Sequence, residues 1–207
     1  MSDSFNKLIE LFRRFPGIGP RQAKRFAYFL LTKDAGYLAE LTRAIAELKK
    51  DTARCNECFR FFQKRDQENA CLLCRETSRS SDTLMILPTD TDLESVEKSG
   101  GFAGRYFVLG GTVALLDAKP QVPLRLKELE QRVRKELKAG DLKEIIFALS
   151  ANPEGEHTAD ALRATLAPLL AKTDAKISTL GRGLSTGSEL EYADAETLKS
   201  ALKNRSI

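Results

Sequence analysis

Two Cys-x2-Cys pairs, Cys55/Cys58 and Cys71/Cys74, stand twelve residues apart, with Phe59 to Ala70 between them. No other feature constrains the chain as tightly. A loop of that size cannot bury a core of its own, whereas four thiolates drawn into a tetrahedron at about 2.3 Å from one cation would close it. The protein would then fill every coordination position, leaving none open for water or substrate. The pattern therefore predicts one structural Zn2+ per chain. These are the only four cysteines, and in a reducing cytosol such a cluster argues for metal rather than disulfides. A pair of redox dithiols would want a strand-to-helix setting that is not visible here. An iron–sulfur cluster shares the spacing but is the weaker reading. Phe59, Phe61 and Phe62 beside the first knuckle are expected to pack over the metal, with base stacking as the alternative.

The rest of the chain reads as a protein with a real core. With 207 residues and 42% hydrophobic content, one large or two small domains are within reach. No tract of about 18 apolar residues suggests a membrane span. Met1-Ser2-Asp3-Ser4 does not begin a secretory signal, so a cytoplasmic location is expected. Net charge is only +4, but residues 1–33 hold seven Lys or Arg against Asp3 and Glu10, a balance of +5. The excess lies at one end, as expected for a polyanion-binding segment; a solvated helix face is the plainer reading.

Apolar periodicity predicts helices through Phe5–Phe12 and Ala23–Leu31, and a third from Leu38 that runs to the cysteine segment. The polar stretch 75–82 reads as a linker. Beyond it, strands Leu84–Leu87, Tyr106–Leu109, Ile145–Leu149 and Lys176–Leu180 alternate with helices Asp92–Ser99, Leu124–Lys138 and His157–Leu170. The fold class is mixed α/β, with a mainly parallel sheet covered by helices.

The first two helices are joined by Phe15-Pro16-Gly17-Ile18-Gly19-Pro20. Pro16 stops a helix, and Gly17 and Gly19 permit a tight turn whose amides a phosphate can approach. Ile18 can plug into the helix pair. The next helix starts at about Pro20, a favoured first position, and its N-terminus offers free N–H groups to an anion. Arg21 and Arg25 share a face at i,i+4, with Lys24 beside them. The segment resembles the helix-hairpin-helix of DNA repair proteins, which binds backbone without reading sequence; the alternative is a purely structural turn.

The order of these parts, followed by Gly104-Arg105-Tyr106-Phe107-Val108-Leu109-Gly110-Gly111, resembles the RecR family of recombination mediators. Asn152-Pro153-Glu154-Gly155-Glu156-His157-Thr158-Ala159 is similar to its strand-to-helix loop. Residues 183–194 are similar to its C-terminal signature, and Thr197 through Arg205 to its final helix. The resemblance spans about residues 5–205 and implies four parts. These are a helix-hairpin-helix domain (1–53), a four-cysteine zinc finger (54–79), a Toprim-like α/β domain (80–180) and a C-terminal segment for assembly (181–207). It further implies a ring, often a tetramer, through which DNA passes. It implies RecO, and in some species RecF, as partners in loading RecA on SSB-coated single strands. The family's DNA-facing basic residues fall on Arg21 and Arg25.

The sequence departs from the Toprim enzymes at one telling place. Those enzymes use a glutamate at the end of the first strand, where this chain has Pro88, which can neither ligate a cation nor move a proton. Glu154 and Glu156 occupy the later loop in place of an Asp-x-Asp pair, and without the first-strand acid they make a poor metal site. Thr89-Asp90-Thr91-Asp92 reads as a helix N-cap. His157, the only histidine, reads as a partly exposed helix residue, and Gly110-Gly111 as a tight turn. The loop 115–123 lacks the glycine that family members tend to have there. No catalytic residue is expected. The rival readings are a Mg2+-dependent Toprim-type enzyme and an adaptor whose basic end binds an acidic protein.

Overall fold

A computed structural model describes residues 3–64, 68–113, 124–181, 183–184, 187 and 189–203. The chain divides into two compact units, 1–52 and 53–207. The loop 115–123, most of Ser185–Ser188 and Arg205 lie outside the described residues.

The first unit is three helices, α1 (Asp3–Phe12), α2 (Pro20–Leu31) and α3 (Ala35–Glu47). Ala23 and Ala27 are buried and let α1 and α2 approach closely. Aromatic pairs lock the crossing: Phe5 lies 5.0 Å from Tyr28 and Phe12 lies 5.8 Å from Phe26, centroid to centroid. Asp34 caps α3 by accepting from the Tyr37 N–H. The third helix stops at Glu47 instead of running on to the cysteines. After a short turn the chain forms β1 (Thr52–Arg54), which pairs with β2 (Phe61–Gln63) across the first knuckle. Three-residue strands carry too little periodicity to be read from sequence.

After a single helical turn, α4 (Leu72–Arg75), the second unit builds a sheet from β3 (Thr83–Leu87), β4 (Arg105–Val108), β5 (Glu144–Phe147) and β6 (Lys176–Thr179). Strand order is β4-β3-β5-β6 and every pairing is parallel, as predicted. Three helices cross between strands, α5 (Asp90–Ser99), α6 (Leu126–Ala139) and α7 (Pro153–Leu170), and α8 (Ala195–Lys203) follows. Alternate side chains face opposite ways. Leu84 and Ile86 meet α6 and α7 through Leu129, Val133 and Leu162, while Met85 and Leu87 meet Leu93 of α5 and the cysteines. Both faces of the central strand β3 are dry, as a parallel sheet requires, while edge strand β6 is partly exposed.

Two helix starts differ from expectation. α7 begins at Pro153, because the Asn152 side chain accepts from the Gly155 N–H at 2.8 Å and Pro153 is preset for a first turn. Glu154 and Glu156 therefore belong to that first turn rather than to a loop. α5 begins at Asp90, with Thr89 and Asp92 forming a reciprocal capping box. Nor is 75–82 a free linker. Arg79, nearly buried, pairs with Glu97 at 2.7 Å and donates to the Gly104 carbonyl at 3.1 Å. The Asp82 carbonyl accepts from the Lys143 and Glu144 N–H groups.

Candidate nucleic-acid interface and four-cysteine site

Helix α1 ends at Phe12, and the turn that follows is closed by the Ile18 N–H donating to the Phe15 carbonyl at 3.1 Å. With Pro16 second and Gly17 third at φ +73°, this is the pattern of a type II turn, which needs a positive φ at its third residue. Gly19 is extended at φ −79°, ψ 171° and serves as N-cap of α2, with Pro20 in the first turn. Glycine has no side chain to cap with, so the amides of Arg21 and Gln22 have no intrahelical acceptor. Ile18 is half-buried, while Gly17, Gly19, Arg21, Lys24 and Arg25 are exposed. The five residues singled out in the sequence are thus all exposed, in the turn and the first two turns of α2, with the Lys24 ammonium 6.0 Å from the Tyr28 ring centre one turn further along the helix.

In the second unit the Sγ atoms of Cys55, Cys58, Cys71 and Cys74 all lie within 4.8 Å of one another, and Cys58 and Cys71 are 3.6 Å apart. A tetrahedron of ligands at about 2.3 Å has edges near 3.8 Å, so the donor set fits one metal ion. Cys55, Cys58 and Cys71 are buried. Hydrogen bonds from Cys58, then Cys71 and Cys74, hold the Cys55 thiol far below its ordinary range. Bonds to Cys55 push Cys58 and Cys74 up. Four thiols this close resist ionising together unless a cation compensates them. The Glu57 and Cys71 N–H groups each donate to Cys55 Sγ at 3.4 Å, as a thiolate ligand would accept.

The three phenylalanines part company. Phe59, at φ +63°, turns away from the cysteines and packs on Phe107 at 5.2 Å in the sheet core. Phe62 packs against the cysteine cluster, and Phe61 stays exposed with the Arg54 guanidinium 5.1 Å from its ring centre. Only Phe62 meets the expectation of packing toward the metal. The knuckle is also sewn to the sheet: the Cys58 carbonyl accepts from the Val108 N–H at 2.8 Å on edge strand β4.

At the carboxyl ends of the strands, Pro88 is buried and its carbonyl accepts from the Gly110 N–H at 2.9 Å. Asp90 accepts from the Phe61 N–H at 2.7 Å, and Asp92 is held in the capping box. Glu154, Glu156 and His157 are exposed on α7. Among the described residues the four cysteines are the one convergent group of three or more possible metal ligands.

Sequence reasoning missed two buried arginines. Arg125 donates to the Val108 carbonyl at 2.7 Å and lies 5.8 Å from the centre of the Phe59 ring. Arg132 pairs with Glu136 and with Glu57 of the first knuckle. The i,i+4 spacing of Arg132 and Glu136 was visible, but in sequence it is indistinguishable from an exposed pair such as Arg134 and Glu130.

Comparison with known proteins agrees with this assembly of parts. Residues 5–49 match the RecR helix-hairpin-helix model, residues 82–181 a Toprim domain and residues 183–206 the RecR C-terminal region. A protein named Recombination protein RecR from Chloroflexus aggregans is 37% identical over 199 residues, covering 96% of this chain and 91% of its own. Its namesake from Prochlorococcus marinus strain MIT 9301 is 35% identical over 200 residues, covering 97% and 94%.

Proposed function

Since this chain belongs to the RecR family of recombination proteins, we propose that it is a DNA-binding mediator of recombination repair that works without turnover. It grips the backbone through Gly17, Gly19, Arg21, Lys24 and Arg25. It assembles as a ring, a tetramer, and acts in the cytoplasm with RecO, and in some species RecF, to help load RecA on SSB-coated single strands. The observation that carries this reading is the uncapped start of α2, with free amides and three exposed cations in its first two turns. Such a site holds phosphate and ignores base identity. Assembly is supported by the apolar surface the first unit leaves in water: Leu31, Ile45 and Leu48 are each about two-thirds exposed.

In the second unit Cys55, Cys58, Cys71 and Cys74 hold one Zn2+, the ion that an all-thiolate tetrahedral donor set favours. When bound, the ion supplies a cross-link and no chemistry on substrate. The buried Pro88 and the structural use of Asp90 and Asp92 support a non-catalytic role for the Toprim-like domain.

Two experiments test this function. Gly19→Asp places a carboxylate at an N-cap whose backbone already has capping geometry, so stability rises by about 0.5 kcal/mol. The same carboxylate occupies the anion position, so duplex affinity falls at least about tenfold. Unchanged affinity in a fluorescence-anisotropy titration sinks the anion-site reading. Incubation with Mg2+ and end-labelled DNA leaves the DNA intact. Cleavage, ligation or primer synthesis that disappears in Glu154→Gln overturns the non-catalytic reading in favour of Toprim-type chemistry.

A further inference from the structure

Arg132 is the most deeply buried cation in the second unit's cysteine neighbourhood, with 7% of its side chain exposed. Its Nε donates to Glu136 Oε1 at 2.7 Å, one turn along α6. Its Nη1 donates to Glu57 Oε2, in the middle of the first knuckle. The other Glu57 oxygen accepts from Lys135 Nζ at 3.2 Å, and Arg105 Nη1 lies 3.7 Å from Glu136 Oε1. Glu57, Arg105, Arg132 and Lys135 line a cavity of about 320 Å³ together with Cys58 and Cys74.

Packing considerations alone do not account for this cluster. Each buried charge costs several kcal/mol in hydration given up, and one Glu136 oxygen, Oε2, is buried with no hydrogen-bond partner. The balance of charge supplies a reason. At the cavity wall Arg79, Arg105, Arg132 and Lys135 stand against one carboxylate, Glu57; Glu136, Glu97 and Glu76 pair with these cations from outside the wall, so that four cations meet four carboxylates in all. Four thiolates around a divalent ion carry a net charge of about −2. The cationic wall is shared with Cys58 and Cys74, beside that charge. Burial works against the Arg132 charge, yet Glu136, Glu57 and Cys74 together hold its pKa above the ordinary arginine value.

We propose that Arg132 is the counter-ion and tether of the four-cysteine site, offsetting thiolate charge and pinning the first knuckle to α6 through Glu57. It is a positioning residue: it acts on the metal ligands without touching the ion. The inference rests on the metal reading above. Groups of this kind change metal affinity about 10–100-fold when removed.

The test uses the full-length, metal-loaded protein and follows metal transfer to excess chelator, with thermal midpoints before and after chelation. Arg132→Met releases metal about 10–100-fold faster than the parent. Its loaded and chelated midpoints also move closer together, which a purely structural contact would not cause. Arg132→Lys keeps the charge and falls between the two, Glu57→Gln loses the tether and accelerates release, and Arg134→Ala on the exposed face of α6 is unchanged. Parental release from Arg132→Met, or equal lowering of both midpoints, overturns the proposal. Where Arg132→Met does not fold, parental release from both Arg132→Lys and Glu57→Gln overturns it. A parent chain that purifies without metal fails the zinc reading itself, whereas one that holds metal with Arg132→Met indifferent fails this inference alone.

Discussion

Stripping the metal, or replacing Cys58 by serine, is expected to lower the thermal midpoint of the second unit by at least about 10 °C. Structural zinc contributes about 10–16 kcal/mol of apparent binding free energy, comparable to the whole stability of a domain, about 5–15 kcal/mol. A loss of even about 5 kcal/mol is worth roughly 10–20 °C in a unit this size. The damage is not confined to the knuckles. Cys55, Cys58 and Cys71 share one core with Met85, Leu87, Tyr106 and Val108. The Cys58 carbonyl satisfies the Val108 N–H at the sheet edge, and Phe59 enters the opposite core on Phe107. Releasing the knuckle opens both faces of β4, so amide exchange at Val108 should rise with the loss of metal. Elemental analysis should find about one zinc per chain. A metal-free protein that melts within about 2 °C of the loaded one contradicts the structural role.

Replacing Arg21 and Arg25 together by alanine is expected to weaken duplex binding about thirtyfold at low salt while leaving the fold intact. Each exposed cation that pairs with a phosphate contributes roughly 1 kcal/mol, and about 2 kcal/mol corresponds to that factor in Kd. Both side chains are exposed on α2, away from the buried Ala23 and Ala27, so stability changes by no more than about 0.5 kcal/mol. The sharper readout is ionic strength. For every phosphate that no longer meets a cation, the slope of log affinity against log salt becomes shallower by about 0.9, so the double variant is shallower by about 1.8. The weakening is uniform across DNA sequences, because backbone contacts carry no base information. Unchanged affinity at low salt removes this helix end as the DNA-binding surface.

Much of the molecule is legible in the sequence. The four cysteines converge because their spacing leaves them little else to do, and the hairpin turn forms because Pro16 and Pro20 fix φ while Gly17 admits the positive φ that the turn needs. The parallel sheet follows from four short apolar runs with helices between them. The helices at Asp90 and Pro153 start earlier than apolar periodicity indicates: the cap at Thr89 is legible in Thr89-Asp90-Thr91-Asp92, whereas Asn152 reads as a loop residue and caps α7. The fate of the phenylalanines is open in sequence: Phe59, Phe61 and Phe62 are chemically alike, and only their neighbours decide between core, solvent and cysteine cluster.

The sequence by itself determined what depends on residues close along the chain: the turn, the Thr89 cap, the cysteine knuckles, the strand–helix alternation and the missing acid at Pro88. Only the tertiary structure decided what depends on residues far apart. It seats the Cys58 knuckle on the edge of β4, puts Phe59 into the sheet core, ties Asp90 to Phe61 and buries Arg132 against Glu57, 75 positions away. The physical reason is that local backbone preferences are written residue by residue, whereas burial and charge pairing depend on which surfaces meet. Arg132 and Arg134 sit two positions apart on one helix with similar glutamate partners; packing alone buries the first and leaves the second in water.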